Sequence, residues 1–423
     1  MRARTVSQTD RTSLANQYQR IRDLTTRLAD PLSAEDCMIQ SMPDASPVRW
    51  HLAHTAWFFE TFVLDSLPGY EVFDEQFQYL FNSYYNRVGA QFPRSQRGLI
   101  SRPGLQRTRQ YREYVDQHML EMLDNCGVRK DVEHAIQIGL NHEQQHQELI
   151  LTDIKHALSC NPLLPAYHQS AAMAPSQRPI DRWLEFTGGI YEVGYAGTGF
   201  AYDNESPLHQ VLIHDFSLAG HPVTCGQFID FIEDGGYQRP DHWLAAGWDT
   251  VQEQVWTAPL YWMQHDGQWM QFTLAGLQPV QRDWPVCHVS YFEADAWARW
   301  AGTRLPSEFE WEVAAASSSR DQFADRLLRD GHAIHPTGGD SATTAPVQMF
   351  GGVWEWTSSS YAAYPGYAPP HGALGEYNGK FMCNQYVLRG GSVASSADHI
   401  RPTYRNFFPP DARWQFSGFR VAK

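Results

Sequence analysis

The stretch His-Glu-Gln-Gln-His-Gln-Glu at residues 142–148 decides how the first half of this 423-residue chain is interpreted. It places the imidazoles of His142 and His146 four residues apart in a segment with helical periodicity. On a helix, side chains at positions i and i+4 leave from one face about 5–6 Å apart, close enough to bind one metal ion together. Because imidazole is a ligand of zinc, copper, iron and nickel, the stretch predicts a transition-metal site.

The same stretch also fits the H-E-x-x-H pattern of zinc hydrolases. In that interpretation His142 and His146 bind zinc, and Glu143 is the general base. A hydrolase therefore stands as an alternative to other kinds of metal enzyme at this point.

The composition restricts the class of protein. With 43% hydrophobic residues and 15 Trp, the chain is globular, and its length suits two or three domains. The net charge of −14 argues against nucleic-acid or anionic-membrane partners. The sequence contains neither an apolar run of the roughly 20 residues that span a bilayer nor the apolar segment of a secretory signal. The six cysteines form no C-x-x-C pair, which is typical of a reduced compartment, so we expect a cytoplasmic protein.

Residues 10–167 are predicted to form a four-helix bundle. The expected long helices lie near residues 12–30, 48–64, 105–124 and 131–158. The connection at residues 82–104 is long, polar and rich in aromatic side chains, and we expect it to be functional.

The composition changes after a predicted linker at residues 168–182. Residues 183–423 carry short strand-like stretches separated by Gly, Pro, Asn and Asp. Helices are expected near residues 224–234 and 291–301 within this half. The predicted fold class is therefore α followed by α+β.

Both halves resemble known families. The second half resembles the formylglycine-generating-enzyme/sulfatase-modifying-factor family, which has a C-type-lectin-like fold. The matching stretches are GGIYEVG (188–194), HPVTCGQFIDFI (221–232), PVCHVSYFEADAWARWAGTRLPSEFEWEVAA (285–315), GGVWEWTSS (351–359), VLRGGS (387–392) and SGFRVA (417–422). The first half resembles the DinB-like metal-binding bundles through WHLAHTAWFFE (50–60) and HEQQHQE (142–148).

The fusion of the two domains resembles the ergothioneine-biosynthetic sulfoxide synthases over about residues 15–423. Two further stretches support this resemblance, NGKFMCNQYVLRGGS (378–392) and TYRNFFPPDARWQFSGFR (403–420). It implies a non-haem iron enzyme that uses O2 to join a cysteine-type thiol to C2 of hercynine, which is Nα-trimethylhistidine. The product is a sulfoxide, and the thiol is cysteine or γ-glutamylcysteine.

The resemblance also implies a ligand set for Fe(II), consisting of His54, His142 and His146. His51 is an alternative to His54, because it lies three residues earlier on the same predicted helix. Glu148 is expected to accept a hydrogen bond at the site rather than to bind the metal. Three imidazoles leave about three positions of an octahedral ion open, whereas a structural zinc site is closed by four protein ligands.

Aromatic residues near the C-terminus are candidates for binding hercynine. Its quaternary ammonium group has no N–H donor, so its recognition depends on aromatic faces, which Phe407, Phe408 and Trp414 supply. Asn406 suits the carboxylate or the imidazole of the substrate. Well-known members of the family carry Asn-Trp-Asp here, and this chain replaces the acidic residue by Phe408. Because Phe408 offers no charged contact to a larger thiol, cysteine is favoured as the donor.

The first half holds the remaining candidate site residues. Gln145 lies between the two histidines of the 142–148 stretch and is expected to hydrogen-bond the substrate imidazole. Arginines of the 82–104 connection are expected to bind the carboxylate of the thiol donor, since guanidinium groups bind carboxylates in a bidentate manner. These arginines are Arg87, Arg94 and Arg97, of which the last two resemble the donor-binding pair of the family.

A tyrosine is expected to deliver a proton during the reaction, because a neutral phenol with a pKa near 10 is a suitable donor at pH 7. Tyr84 and Tyr85 are preferred for this role. The alternatives in the second half are Tyr361, Tyr364 and Tyr367.

Four other functions are alternatives to this one. An ovothiol-type synthase would attach sulfur to C5 of histidine, and a lectin-like protein would bind without catalysis. A formylglycine-generating enzyme requires a cysteine pair near its C-terminus, and residues 391–423 contain no cysteine. The bundle, the second domain and the third histidine argue against a zinc hydrolase.

Overall fold

The computed structural model describes residues 8–125, 129–168, 179–316, 327–328, 334–338 and 346–423. The chain divides into two compact units. The first comprises Met1–Pro162 and Pro369–Tyr377, and the second comprises Leu163–Ala368 and Asn378–Lys423. The first is helical and the second contains the β-sheets, so the predicted fold class is confirmed.

Four long helices build the first unit. They are α1 (Gln8–Ala29), α2 (Val48–Phe62), α4 (Leu105–Asn125) and α5 (Lys130–Ser159), and the short α3 (Phe77–Phe81) follows α2. Helix α2 contacts both α4 and α5, and α1 packs against the same two helices. Helix α2 is buried on nearly all its faces, as its apolar sequence requires. It approaches α5 closely, because a Cβ atom at Gly139 would lie 2.6 Å from the Phe59 ring.

Buried charges join three of these helices. The carboxylate of Glu143 on α5 accepts hydrogen bonds from Arg22 of α1 at 2.8 Å and from Arg112 of α4 at 2.9 Å. All three side chains are buried. Arg22 also pairs with Asp116 of α4 at 2.6 Å, so these buried charges are fully compensated only when the three helices pack together.

The second unit combines short, mainly antiparallel sheets with four helices among its described residues. Its strands are β1 (Trp183–Phe186), β2 (Gly189–Val193), β3 (His209–Ile213), β4 (Phe216–Ala219), β5 (Trp262–His265), β6 (Gln268–Thr273), β7 (Gly276–Pro279), β8 (Trp354–Ser360), β9 (Tyr386–Arg389), β10 (Asn406–Phe408) and β11 (Ser417–Gly418). Strand β1 pairs with β4, β2 with β3, and β5, β6 and β7 form a meander. The largest sheet has the order β10-β9-β8-β11, in which β11 runs parallel to β8. The helices are α6 (Cys225–Glu233), α7 (Ala245–Gln254), α8 (Tyr291–Trp300) and α9 (Glu308–Ala315).

The core of this unit also contains paired charges. Arg389 of β9 donates to Glu308 at 3.1 Å and to Glu312 at 2.8 Å, both on α9. Arg405, just before β10, donates to the same Glu308 carboxylate at 2.9 Å. These pairs hold α9 against β9 and against the residue that directly precedes β10.

The two units differ at two places from the domain boundaries that the sequence predicts. Residues 163–167 lie in the second unit, where the Tyr167 N–H donates to the Leu274 carbonyl at 2.9 Å. Residues 369–377 lie in the first unit, although the sequence places them in the second domain. Residues 169–178 of the predicted linker lie outside the described part of the chain. Among the described residues, none of the helices is both long enough and apolar enough to cross a membrane.

Replacing Glu143 tests the buried charge cluster. Glu143→Gln leaves the buried Arg112 guanidinium without its charged partner and leaves Arg22 paired with Asp116 alone, so we expect the free energy of unfolding of the metal-free protein to fall by about 3–5 kcal/mol. Urea denaturation followed by circular dichroism measures it. The control is Glu121→Gln on the exposed face of α4, for which a change within about 0.5 kcal/mol is expected. Equal stabilities for the two variants would contradict the role of the cluster.

Candidate metal centre

Helices α2 and α5 bring three predicted metal ligands together. Ring nitrogens of His54, His142 and His146 all lie within 4.8 Å of one another, and all three side chains are buried. His142 and His146 occupy successive turns of α5, as the sequence predicts. His54 faces them from α2, with its Nε2 atom 3.2 Å from Nε2 of His142.

The surroundings of His54 fix the direction of its ring. Its Nδ1 atom lies 2.6 Å from the carbonyl oxygen of Phe81, so Nδ1 carries the hydrogen and Nε2 keeps its lone pair. The ring is stacked between two indoles, with centroid distances of 4.5 Å to Trp50 and 5.5 Å to Trp57. The lone pair is thereby directed toward His142.

Burial keeps the three imidazoles neutral. It lowers the pKa of His142 to about 3 and the pKa values of His54 and His146 well below the ordinary value. Neutral imidazole is the form that binds metal ions, so protons do not compete for these nitrogens near pH 7.

The donor set fits a transition-metal ion. The bond from a zinc ion to an imidazole nitrogen is about 2.1 Å long. With bonds of that length to one ion at a right angle to each other, two nitrogens lie roughly 3.0 Å apart. The observed distance between Nε2 of His54 and Nε2 of His142 is 3.2 Å. The group contains imidazole nitrogens but no thiolate or carboxylate from the described residues. This set favours iron, zinc, copper or nickel over magnesium or calcium.

Glu143 is unsuited to the role of a general base. Its carboxylate is bound by Arg22 and Arg112, and these cations hold its pKa at about 2 despite its burial. A carboxylate so strongly stabilised in its ionised form accepts a proton poorly. The structure therefore argues against the zinc-hydrolase interpretation of the 142–148 stretch.

His51, the alternative to His54, is not in the group of three. It contacts His146 instead, through Nδ1 atoms that are 2.7 Å apart, and its Nε2 lies 3.0 Å from Oδ2 of Asp153. Glu148 is buried on α5, two residues after His146.

The candidate arginines are in different environments. Arg97 is buried, with its Cζ atom 3.4 Å from the centroid of a Trp50 ring. It donates to the hydroxyls of Ser46 at 2.9 Å and Ser83 at 3.2 Å, and it forms no ion pair with a described residue. Arg87 and Arg94 are exposed.

The environment of Arg97 is costly for a cation. Burial lowers its pKa well below the ordinary value. A buried guanidinium that has only hydroxyl partners is suited to receive an anion. Arg94 instead donates to the backbone carbonyl of Asp44 at the surface.

The predicted tyrosines lie beside a tyrosine that the sequence analysis did not name. Tyr84 and Tyr85 are stacked at 4.7 Å, and Tyr85 is fully buried against Trp57. The ring of Tyr377 lies 5.7 Å from the His142 ring and 6.3 Å from that of Tyr84. The Tyr377 hydroxyl donates to Oε1 of Gln145, the residue predicted to bind the substrate imidazole.

Tyr377 belongs to the segment that joins the first unit. Glu376 anchors this segment, because its carboxylate accepts the backbone N–H groups of Asn86 and Arg87, each at 3.0 Å. The sequence does contain an indication of Tyr377, since this residue directly precedes residues 378–392, which support the family resemblance.

The candidate residues of the second unit form their own aromatic cluster. Phe407 stacks on Tyr361 at 3.9 Å, and the rings of Phe408 and Trp414 are 6.1 Å apart. Asn406, Phe407 and Phe408 form β10 and are half-buried.

The alternative tyrosines of the second unit have polar partners there. Tyr364 donates to Glu308 at 3.2 Å, and Tyr367 donates to Asp203 at 2.8 Å. The hydroxyl of Tyr361 accepts a hydrogen bond from Asn204 at 2.9 Å.

Two family models match the chain in the order of its units. Residues 17–150 match the DinB superfamily, and residues 169–423 match the sulfatase-modifying factor enzyme 1-like domain.

Known relatives extend over nearly the whole chain. The hercynine oxygenase of Mycolicibacterium thermoresistibile is 32% identical over 443 residues, which cover 97% of this chain and 95% of the relative. That of Mycobacterium tuberculosis is 33% identical over 434 residues, which cover 97% of this chain and 98% of the relative. The ergothioneine biosynthesis protein 1 of Schizosaccharomyces pombe is 28% identical over 242 residues, which cover 53% of this chain and 28% of that protein. The chain therefore belongs to the hercynine oxygenase family, with a DinB-like domain that precedes a sulfatase-modifying-factor domain.

Proposed function

We propose that this protein is a non-haem Fe(II) oxygenase of ergothioneine biosynthesis that joins a cysteine-type thiol to C2 of hercynine. One observation is the main support for this proposal. Three buried imidazoles converge in the DinB-like domain of a chain that is 32% and 33% identical to two hercynine oxygenases over 97% of its length.

The overall reaction is balanced by O2. The C2–H bond of the imidazole and the S–H bond of the thiol break, a C–S bond forms, and one oxygen atom is added to sulfur. O2 accepts the four electrons released, and its second atom leaves as water with the two protons. The substrates are therefore small molecules, namely hercynine, a thiol and O2.

Fe(II) is the ion that we assign to His54, His142 and His146. When bound, it supplies a centre at which the thiolate sulfur, the substrate imidazole and O2 meet. The protein contributes three neutral nitrogen donors in fixed positions, which leaves about three positions of an octahedral ion for the reactants.

Arg97 is the residue that we assign to the carboxylate of the thiol donor. Its guanidinium is buried beside Trp50, which itself stacks on the candidate ligand His54. A substrate carboxylate would supply the negative charge that the described residues around Arg97 do not supply as an ion pair. Arg87 and Arg94 are exposed, so we give them at most a weaker, long-range role.

Hercynine requires a different kind of contact. Its trimethylammonium group suits the faces of Phe407, Phe408 and Trp414, and its carboxylate or imidazole suits Asn406. Phe408 brings no charge, so we propose cysteine rather than γ-glutamylcysteine as the preferred donor.

Tyr377 joins Tyr84 and Tyr85 as a candidate proton donor. Its ring contacts His142, and its hydroxyl is held by Gln145. Positioned proton donors contribute roughly 10²–10⁴-fold to rates.

Product analysis tests the proposed reaction. The protein is loaded anaerobically with Fe(II), mixed with hercynine and either thiol, and exposed to air, and the products are identified by mass spectrometry. We expect hercynyl-cysteine sulfoxide, formed faster from cysteine. Sulfur at C5 of histidine would instead indicate an ovothiol-type synthase. No coupling by iron-loaded protein would contradict the proposal.

Replacing Arg97 tests the donor site. In Arg97→Gln we expect the KM for cysteine to rise about tenfold or more, because a charged hydrogen bond contributes about 1.5–3 kcal/mol. The KM for hercynine should stay within about twofold. Arg109→Gln, at an exposed position of α4, is the matched control and should leave both constants unchanged. An equal rise of both KM values in Arg97→Gln would refute this assignment.

Removing single phenol hydroxyls tests the proton donor. Tyr377→Phe is expected to lower sulfoxide formation at least tenfold and to divert cysteine to cysteine sulfinic acid, as measured by mass spectrometry. Tyr84→Phe and Tyr85→Phe are compared under the same conditions, and Tyr114→Phe on α4 is the control. If all three site variants keep the wild-type product ratio, the proton comes from another group.

A further inference from the structure

His51 and Asp153 form a buried hydrogen-bonded pair behind one of the three candidate ligands. Nδ1 of His51 lies 2.7 Å from Nδ1 of His146, and Nε2 of His51 lies 3.0 Å from Oδ2 of Asp153. His51 is 2% exposed and Asp153 is 5% exposed, so water does not replace these contacts. The three side chains come from α2 and α5 and form a continuous chain of contacts.

The protonation states of this chain follow from the contacts. Because Nδ1 of His146 is paired with His51, only Nε2 of His146 is left to bind a metal, and it must keep its lone pair. The hydrogen of the neutral His146 ring is then on Nδ1, which donates to Nδ1 of His51. His51 in turn carries its hydrogen on Nε2 and donates to Asp153.

Asp153 is itself held in place. Its Oδ2 atom also accepts the backbone N–H of Ser46 at 2.8 Å, just before α2 begins. Its position on α5, seven residues after His146, places the two on the same side of the helix two turns apart. The carboxylate therefore has a fixed distance to His51 and, through it, to His146.

The other two candidate ligands lack such a partner among the described residues. Nδ1 of His54 faces the neutral backbone carbonyl of Phe81. Nδ1 of His142 is buried and has no hydrogen-bond partner. The three imidazoles therefore differ in their electronic surroundings, and only His146 is connected to a carboxylate.

We propose that Asp153 and His51 are positioning residues, which fix the tautomer and ring orientation of His146 and make it the most strongly electron-donating of the three ligands. This inference rests on the proposed iron site. Hydrogen-bonded partners of this kind orient metal-binding histidines and raise their basicity, and their loss weakens metal affinity by about 10–100-fold.

Iron affinity and the spectrum of the iron–nitrosyl complex test this inference. The Kd of the full-length protein for Fe(II) is measured anaerobically by competition with a coloured chelator, and nitric oxide is then added for electron paramagnetic resonance. We expect His51→Leu to raise the Kd about 10–100-fold and to alter the spectrum. We expect His51→Gln to restore most of the affinity, since an amide both accepts from His146 and donates to Asp153.

Asp153→Asn separates charge from position. Its amide oxygen still accepts from His51, so we expect a smaller rise in Kd but a shift in the nitrosyl spectrum. His156→Gln, one turn beyond Asp153 on α5, is the matched control and should match the wild type in both readouts. Thermal unfolding establishes that each variant is folded. If His51→Leu does not fold, the Fe(II) affinities and nitrosyl spectra of Asp153→Asn and His51→Gln test the positioning roles instead.

The possible outcomes distinguish a failure of this inference from a failure of the proposed function. His142→Ala removes a proposed ligand. If the wild-type protein binds Fe(II) no more tightly than this variant, the proposed iron site is wrong. Iron binding that is lost in His142→Ala but unchanged in folded His51→Leu and Asp153→Asn, with unchanged spectra, would overturn the roles of His51 and Asp153 alone.

Discussion

The buried carboxylate of Glu143, held between Arg22 and Arg112, is the interaction on which the first unit depends. It joins α1, α4 and α5 through buried side chains, where an unpaired charge would be strongly destabilising. Glu143 directly follows His142, so the charges that join the helices also set the position of α5 at the candidate metal centre. The glutamate of an apparent hydrolase motif is thereby explained as a structural residue, and the neighbouring histidines remain available for a metal.

Much of this arrangement could be predicted from the sequence. Helical periodicity predicts α2, α4 and α5 to within two residues at each end, and the i, i+4 spacing predicts that His142 and His146 share a face. The proximity of His54 required the family resemblance, because a histidine on an apolar helix face is also typical of a packed core. The observed 3.2 Å between His54 and His142 depends on the packing of α2 against α5, which involves residues about 90 positions apart in the chain.

The remaining features of the site depend on contacts between residues that are distant in the sequence, so no local sequence pattern predicts them. Arg94 and Arg97 are three residues apart, yet only Arg97 is buried, because Trp50 of another helix offers it an aromatic face. Tyr377 joins the first unit because Glu376 binds two backbone N–H groups nearly 290 residues earlier. The role proposed for His51 likewise depends on its contact with Asp153, which lies 102 positions later in the chain.

X-ray absorption at the iron K edge, measured on anaerobic Fe(II)-loaded protein before and after addition of cysteine, tests the central claim most directly. Our account predicts iron bound by three imidazole nitrogens, with the remaining positions filled by light atoms from solvent and one of them replaced by sulfur when cysteine is added. Iron that is bound by oxygen atoms alone, or by four protein ligands with a spectrum that cysteine does not change, would contradict it.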